Sequence, residues 1–119
     1  MYDNNNIFAK IIRGEASCSK VYENDYALAF KDAFPRANVH VLLIPKGCYK
    51  DLSDFLTSAT VAEKEGYFNA LEKTLQLLNL SKGYRIVTNN GEDGGQEVPH
   101  LHFHILGGEK LGTMISKKP

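Results

Sequence analysis

The chain carries no excess of either charge: 14 Lys and Arg balance 14 Asp and Glu over 119 residues. Nothing in that balance recommends a polyanion, so no nucleic-acid partner is expected, although a small anion held by local donors remains allowed. Cysteine is equally scarce. Cys18 and Cys48 are the only two, and they form neither a Cys-x-x-Cys pair nor the disulfide framework of a small secreted domain. Free thiols in a reducing compartment are the expectation. No stretch approaches the roughly eighteen apolar residues of a membrane span. The polar start, Met1 to Asn6, lacks the basic and apolar regions of a signal peptide. A soluble, cytoplasmic protein without a membrane partner follows as an expectation. Repeats, low-complexity tracts, the G-x-G-x-x-G fingerprint and the P-loop pattern are also missing. With 43% apolar and 24% charged residues, the chain reads as one globular domain, 1–119.

What is present alternates between helical and strand periodicity. Ile7, Ile11 and Ile12 sit at helical spacing ahead of Gly14, predicting a short helix over 7–13. Val21 to Glu23 and Tyr26 to Asp32 flank the turn-favouring pair Asn24-Asp25, predicting a β-hairpin. Asp32, at the end of its second strand, is either a turn residue or a hydroxyl acceptor beside an apolar pocket. Ala37 to Pro45 is apolar on both faces except for His40, the pattern of a central strand. His40 is either a satisfied core histidine or a member of a site. Leu52 to Leu56 predicts a short helical turn. Thr60-Val61-Ala62-Glu63 fits a capping box that opens a long helix, with Val61, Phe68, Leu71, Leu75 and Leu78 as its apolar stripe. That stripe is expected to face the core, with a dimer contact as the minor alternative. Gly66 weakens the helix locally by about 1 kcal/mol relative to Ala. Tyr84 to Asn89 predicts another strand, and the glycine-rich run Asn89 to Pro99 is either a plain connection or a backbone cradle for an anion. Glu109 to Pro119 carries no signal.

The densest chemistry is His100-Leu101-His102-Phe103-His104-Ile105-Leu106, which holds three of the four histidines. Alternation with Leu, Phe and Ile reads as a strand whose apolar side faces a core and whose imidazoles stand in a row about 6.6 Å apart. The outer two would then lie about 13 Å apart at Cα, too far to share a zinc ion bound at about 2.0–2.1 Å. Two of them with His40 could still do so. Phosphorus chemistry suits the row better. A neutral imidazole is a nucleophile near pH 7, and flanking imidazoles can orient it and donate protons. His102, in the middle, is best placed to attack.

These seven residues fit every position of the motif His-φ-His-φ-His-φ-φ, φ being apolar, and the chain resembles the histidine triad (HIT) superfamily. The likeness is strongest to its branch of histidine triad nucleotide-binding proteins. It spans nearly the whole chain, through Ile7 to Glu15, Asn38 to Lys46 and Gly94 to Pro99. The resemblance implies an α+β fold with a five-stranded antiparallel sheet, one long helix and one or two short ones, paired across a homodimer. It implies hydrolysis of purine nucleoside 5′-phosphoramidates through a nucleotidyl-histidine at His102. His100 would orient the nucleophile; His104 and His40 would contact phosphate and assist the leaving amine. Asn89, Gln96 and the amide of Glu97 would bind phosphate oxygens, and Asp32 the ribose hydroxyls, which displaces the turn reading. Ile7, Phe8, Ile11, Phe30 and Ile44 would wall the base or ribose pocket. No cofactor or metal is implied.

The chain departs from the pattern in three places. Pro99 replaces a usual aromatic residue. The Cys-x-x-Cys that holds structural zinc in some relatives has no counterpart in Asn4 to Ala9, and Glu97 stands where several relatives have Ser, so its side chain is expected to turn away. Two further activities fit the same residues: dinucleoside polyphosphate hydrolysis, and nucleotide sensing with incidental catalysis.

Overall fold

The computed structural model describes residues 1–115, so the last four residues of the expected domain, and of the tail from Glu109, lie outside the described residues. In chain order the elements are α1 (Ile7–Ile12), β1 (Lys20–Glu23), β2 (Ala27–Lys31), β3 (Val39–Pro45), α2 (Leu52–Ser58), α3 (Val61–Leu78), β4 (Tyr84–Val87) and β5 (Phe103–Gly107). The five strands form one sheet in the order β1-β2-β3-β5-β4, antiparallel throughout. This is the α+β architecture expected, with one long and two short helices.

Local chemistry sets most boundaries. The Asn6 side chain caps α1 by accepting from the Ala9 amide, and Gly14 at φ 78° turns the chain out of it. At the hairpin, Asn24 Oδ1 accepts from the amides of Tyr26 and Ala27 at 2.8 and 2.9 Å. Both arms of the capping box at Thr60 and Glu63 are made, and α3 ends at Asn79 in the left-handed region, φ 51°. Asparagine tolerates that conformation, so the helix stops two residues before the Ser81-Lys82-Gly83 stop read from sequence.

Strand parity divides the apolar residues between the two faces of the sheet. Ala27, Ala29, Val41, Leu43, Phe103 and Ile105 face α3, with Phe55, Tyr67 and Ala70. Leu28, Phe30, Leu42 and Ile44 face the other way, against Phe8 of α1. By the same parity His40 on β3 and His104 on β5 belong to that second face.

Two expectations are corrected. The fully buried face of α3 is Gly66, Tyr67, Ala70 and Thr74; of the expected stripe Leu71, Leu75 and Leu78 pack partly buried against that core, whereas Val61 and Phe68 are 73% and 50% exposed. Small residues let the helix approach the alanines of β2, and Tyr67 fills the remaining space while its hydroxyl donates to the Leu43 carbonyl at 2.8 Å. A Cβ on Gly66 would fall 2.2 Å from Tyr26 Cδ2, so this glycine is a packing requirement and not only a weak helix former. Strand β5 begins at Phe103 instead of His100. Its last pair with β3 is Leu43 with Phe103; continuing the ladder would bring Leu101 opposite Pro45, which has no N–H to give. The Leu101 amide donates to the Tyr49 carbonyl instead. No helix among the described residues is long and apolar enough to cross a membrane.

Candidate active site

His40 and His104 meet because their strands are neighbours. His40 Nε2 lies 2.9 Å from His104 Nδ1 and 3.4 Å from Asp32 Oδ2. The direction of the first bond follows from a group that can only donate. The Arg36 amide donates to His40 Nδ1 at 3.1 Å, so a neutral His40 carries its proton on Nε2 and donates it to His104 Nδ1. His104 therefore holds its own proton on Nε2. Asp32 makes the turn considered for it, Oδ1 accepting from the Phe34 amide at 2.8 Å in an Asx turn, while Oδ2 faces the histidines.

The same accounting applies to the other pair. The Pro45 carbonyl, 2.8 Å from His100 Nε2, can only accept, so that nitrogen is protonated and His100 Nδ1 is an acceptor, met by the Tyr2 hydroxyl at 2.5 Å. His102 Nδ1 lies 2.7 Å from the His100 carbonyl and must donate to it. A neutral His102 is thus left with a bare lone pair on Nε2.

Burial keeps all four rings uncharged near neutral pH. His100 is fully buried and its pKa is pushed down to about 4 by loss of solvent. His104 is also lowered to about 4, by burial first and then by His102 and His40. Loss of solvent lowers His102 and His40 as well, opposed in both by the Asp32 carboxylate. The Phe8 ring, edge-on to His102 at 4.9 Å between centroids, supplies much of that apolar surface.

A cleft of about 960 Å³ opens over these groups. Of the residues expected from sequence, His40, His102, His104, Asp32, Asn89, Glu97, Ile7, Phe8, Ile11 and Phe30 line it. Three do not. His100 is packed beneath, so the expected row of three imidazoles is a pair at the cleft, 5.0 Å between ring centroids, with the third behind. Ile44 is fully buried in the core beside the cleft. The Gln96 side chain is consumed by the loop, accepting from the Gly91 amide at 2.9 Å and donating to the carbonyls of Lys50 and Val98 at 2.6 and 3.0 Å. Glu97, expected to turn away, is exposed at the rim, and its charge counteracts the lowering of the His102 pKa.

Sequence reasoning missed Leu42, Val98, Lys31, Phe34, Arg36 and the segment Ser17 to Ser19, all of which line the cleft. Leu42 was accessible from parity, being two residues from His40 on one strand. The Ser17 to Ser19 segment offered no signal. Asp32, His40 and His104 bring one ligand atom each within 4.8 Å of one another, which is compact enough for a cation. The Arg36 amide argues against one: coordination through His40 Nε2 would move the ring proton to Nδ1, where it would oppose the incoming N–H.

An antiparallel sheet bearing paired imidazoles above a glycine-rich loop is the framework of a histidine triad protein. A family model described as HIT domain matches residues 13–111; the chain belongs to the HIT family. It is 51% identical over 117 residues to an uncharacterized 13.2 kDa HIT-like protein of Azospirillum brasilense, covering 98% of this chain and 96% of that one. Among solved structures it is similar to a HIT family hydrolase from Clostridium thermocellum, with TM-score 0.80, 35% identity and coverage of 96% and 99%. It is also similar to a histidine triad nucleotide-binding protein from Candida albicans, with TM-score 0.77, 28% identity and coverage of 97% and 87%.

Proposed function

We propose that this protein hydrolyses purine nucleoside 5′-phosphoramidates to the nucleoside monophosphate through a covalent nucleotidyl-histidine on His102. The observation that carries the reading is the committed Nδ1–H of His102, 2.7 Å from the His100 carbonyl, which leaves Nε2 free to attack. The relatives named as a hydrolase and as a nucleotide-binding protein support the same class of activity.

In this scheme the purine and ribose occupy the apolar side of the cleft near Ile7, Phe8, Ile11 and Phe30, and Asp32 accepts from the ribose hydroxyls. Asn89 and the amide of Glu97 bind phosphate oxygens. The anionic phosphate draws a proton onto the His40–His104 pair, with Asp32 nearby to offset its charge. His102 Nε2 attacks phosphorus, the P–N bond breaks, and the amine departs with that proton through His104 Nε2. Water then attacks phosphorus, returns a proton to the pair, and the P–Nε2 bond breaks to restore neutral His102. One hard displacement becomes two easier ones, and no metal is required.

A homodimer is part of the proposal. Among the described residues no strand pairs with the outer edge of β4, where Tyr84 and Ile86 are 50% and 37% exposed. The α3 flank adds a shallow apolar groove lined by Phe68, Leu71 and Leu75. A second copy covering both would bury them. Lys31 and Arg36 at the cleft give a second reading some support, since added cations suit the longer phosphate chain of a dinucleoside polyphosphate. Turnover numbers for adenosine phosphoramidate and diadenosine polyphosphates, measured side by side, test the choice. Faster hydrolysis of the polyphosphates would overturn the phosphoramidase reading.

A further inference from the structure

We propose that Tyr2 is a positioning residue for the reaction above, its hydroxyl clamping His100 from behind so that the His100 carbonyl holds His102 in the attacking tautomer. The inference rests on that functional reading. Its basis is a hydrogen-bond chain whose polarity is fixed at both ends. At one end, the Ala9 amide donates to Asn6 Oδ1 at 2.9 Å, which fixes how the Asn6 side chain lies. Asn6 Nδ2 then donates to the Tyr2 oxygen at 2.9 Å. With that donor in place, the single Tyr2 proton goes to His100 Nδ1. At the other end His100 Nε2–H meets the Pro45 carbonyl, which can accept but never donate.

Neither end can reverse, so the chain admits one arrangement of protons. Both ring nitrogens of His100 are engaged, which fixes its rotamer and through it the peptide whose carbonyl accepts from His102 Nδ1–H. Burial also raises the Tyr2 pKa, keeping its hydroxyl protonated across the working range. Tyr2 does not line the cleft. Its effect is transmitted through His100, and the polar leader that contains it reads from sequence as featureless.

Two variants test this from opposite directions. Tyr2→Phe keeps the ring, which lies edge-on to His100 at 5.7 Å between centroids, and removes only the donor. Asn6→Asp keeps a good helix N-cap but replaces the donor to Tyr2 with an acceptor, drawing the Tyr2 proton away from His100. Both should lower kcat about 10-fold, the loss of one positioning hydrogen bond, with KM changed less than twofold. Nitrogen NMR of the free protein supplies a readout that needs no substrate. In both variants His100 should titrate above its native value of about 4, because the neutral ring loses its partner, and His102 should show mixed tautomers. Unchanged His100 titration and His102 tautomer in both variants would overturn the proposal, as would a loss confined to KM. An inactive wild-type protein would count against the hydrolase reading, while the NMR result would still decide the clamp.

Discussion

Acidification from pH 7 to pH 5 should destabilise the fold, and the size of the effect can be worked from His100. In the unfolded chain its imidazole titrates near the ordinary 6.5; in the folded protein burial holds it at about 4. Above about pH 6.5 both states are neutral and the full stability is present. As pH falls from there toward 4, the unfolded chain takes up a proton that the folded one refuses, so stability is lost at up to about 1.4 kcal/mol per pH unit. At pH 5 the loss from His100 alone is about 2 kcal/mol. His104 works in the same direction, less strongly because it is only half-buried. The lowered carboxylates, Glu15, Glu23 and Glu63, have ordinary values of 4.5 and begin to act only below that. The window from pH 6.5 to 5 therefore belongs to the histidines. Urea unfolding at pH 7, 6 and 5 measures it, with His100→Gln as the variant that should flatten the slope by about one proton. An unfolding free energy that stays constant from pH 7 to pH 5 would refute the reasoning.

Other sites give equally direct outcomes. Gly66→Ala gains about 1 kcal/mol in helix propensity but drives a Cβ to 2.2 Å from Tyr26 Cδ2 and 2.8 Å from Tyr26 Cβ. Since the Tyr26 Cβ cannot swing aside, a net loss of about 2 kcal/mol is expected in urea melts, partly restored by adding Tyr26→Ala. His40→Ala removes the hydrogen bond that sets the His104 tautomer, and steady-state kinetics should show kcat down about 100-fold with KM little changed. Sedimentation of the native protein should give twice the chain mass, and Phe68→Glu with Leu75→Glu should give the monomer.

The fold was legible wherever one local signal dominated. The turn-favouring pair Asn24-Asp25 located β2, a run apolar on both faces located β3, and the Thr60 capping box located the start of α3. The buried face of α3 was legible only at Leu71, Leu75 and Leu78, because its centre depends on how closely a helix can approach a sheet. Gly66, Ala70 and Ala27 decide that through their smallness, which carries no weight in an apolar stripe. At the site, the triad histidines were readable because three imidazoles at alternate spacing are uncommon, whereas Asp32 read on its own as a turn residue and its place at the site came only with the family resemblance. The internal role of Gln96 was hidden, since only the folded loop brings the Lys50 carbonyl to its amide. The separation of His100 from the cleft was hidden for a related reason. It turns on Pro45, fifty-five positions away in the chain, ending the ladder early and accepting from the His100 ring.

In the proposed reaction His102 Nε2 forms a bond to phosphorus. The most direct measurement is to mix the protein with an adenosine phosphoramidate, quench within the first turnovers into alkaline denaturant, which preserves the acid-labile P–N bond, and follow with intact mass and peptide mapping kept out of acid. The expected result is a gain of one adenylyl group on His102, absent from His102→Ala and unaffected by the presence of a chelator. Rapid release of the nucleoside monophosphate with no adduct, or an adduct on His40 or His104, would contradict it.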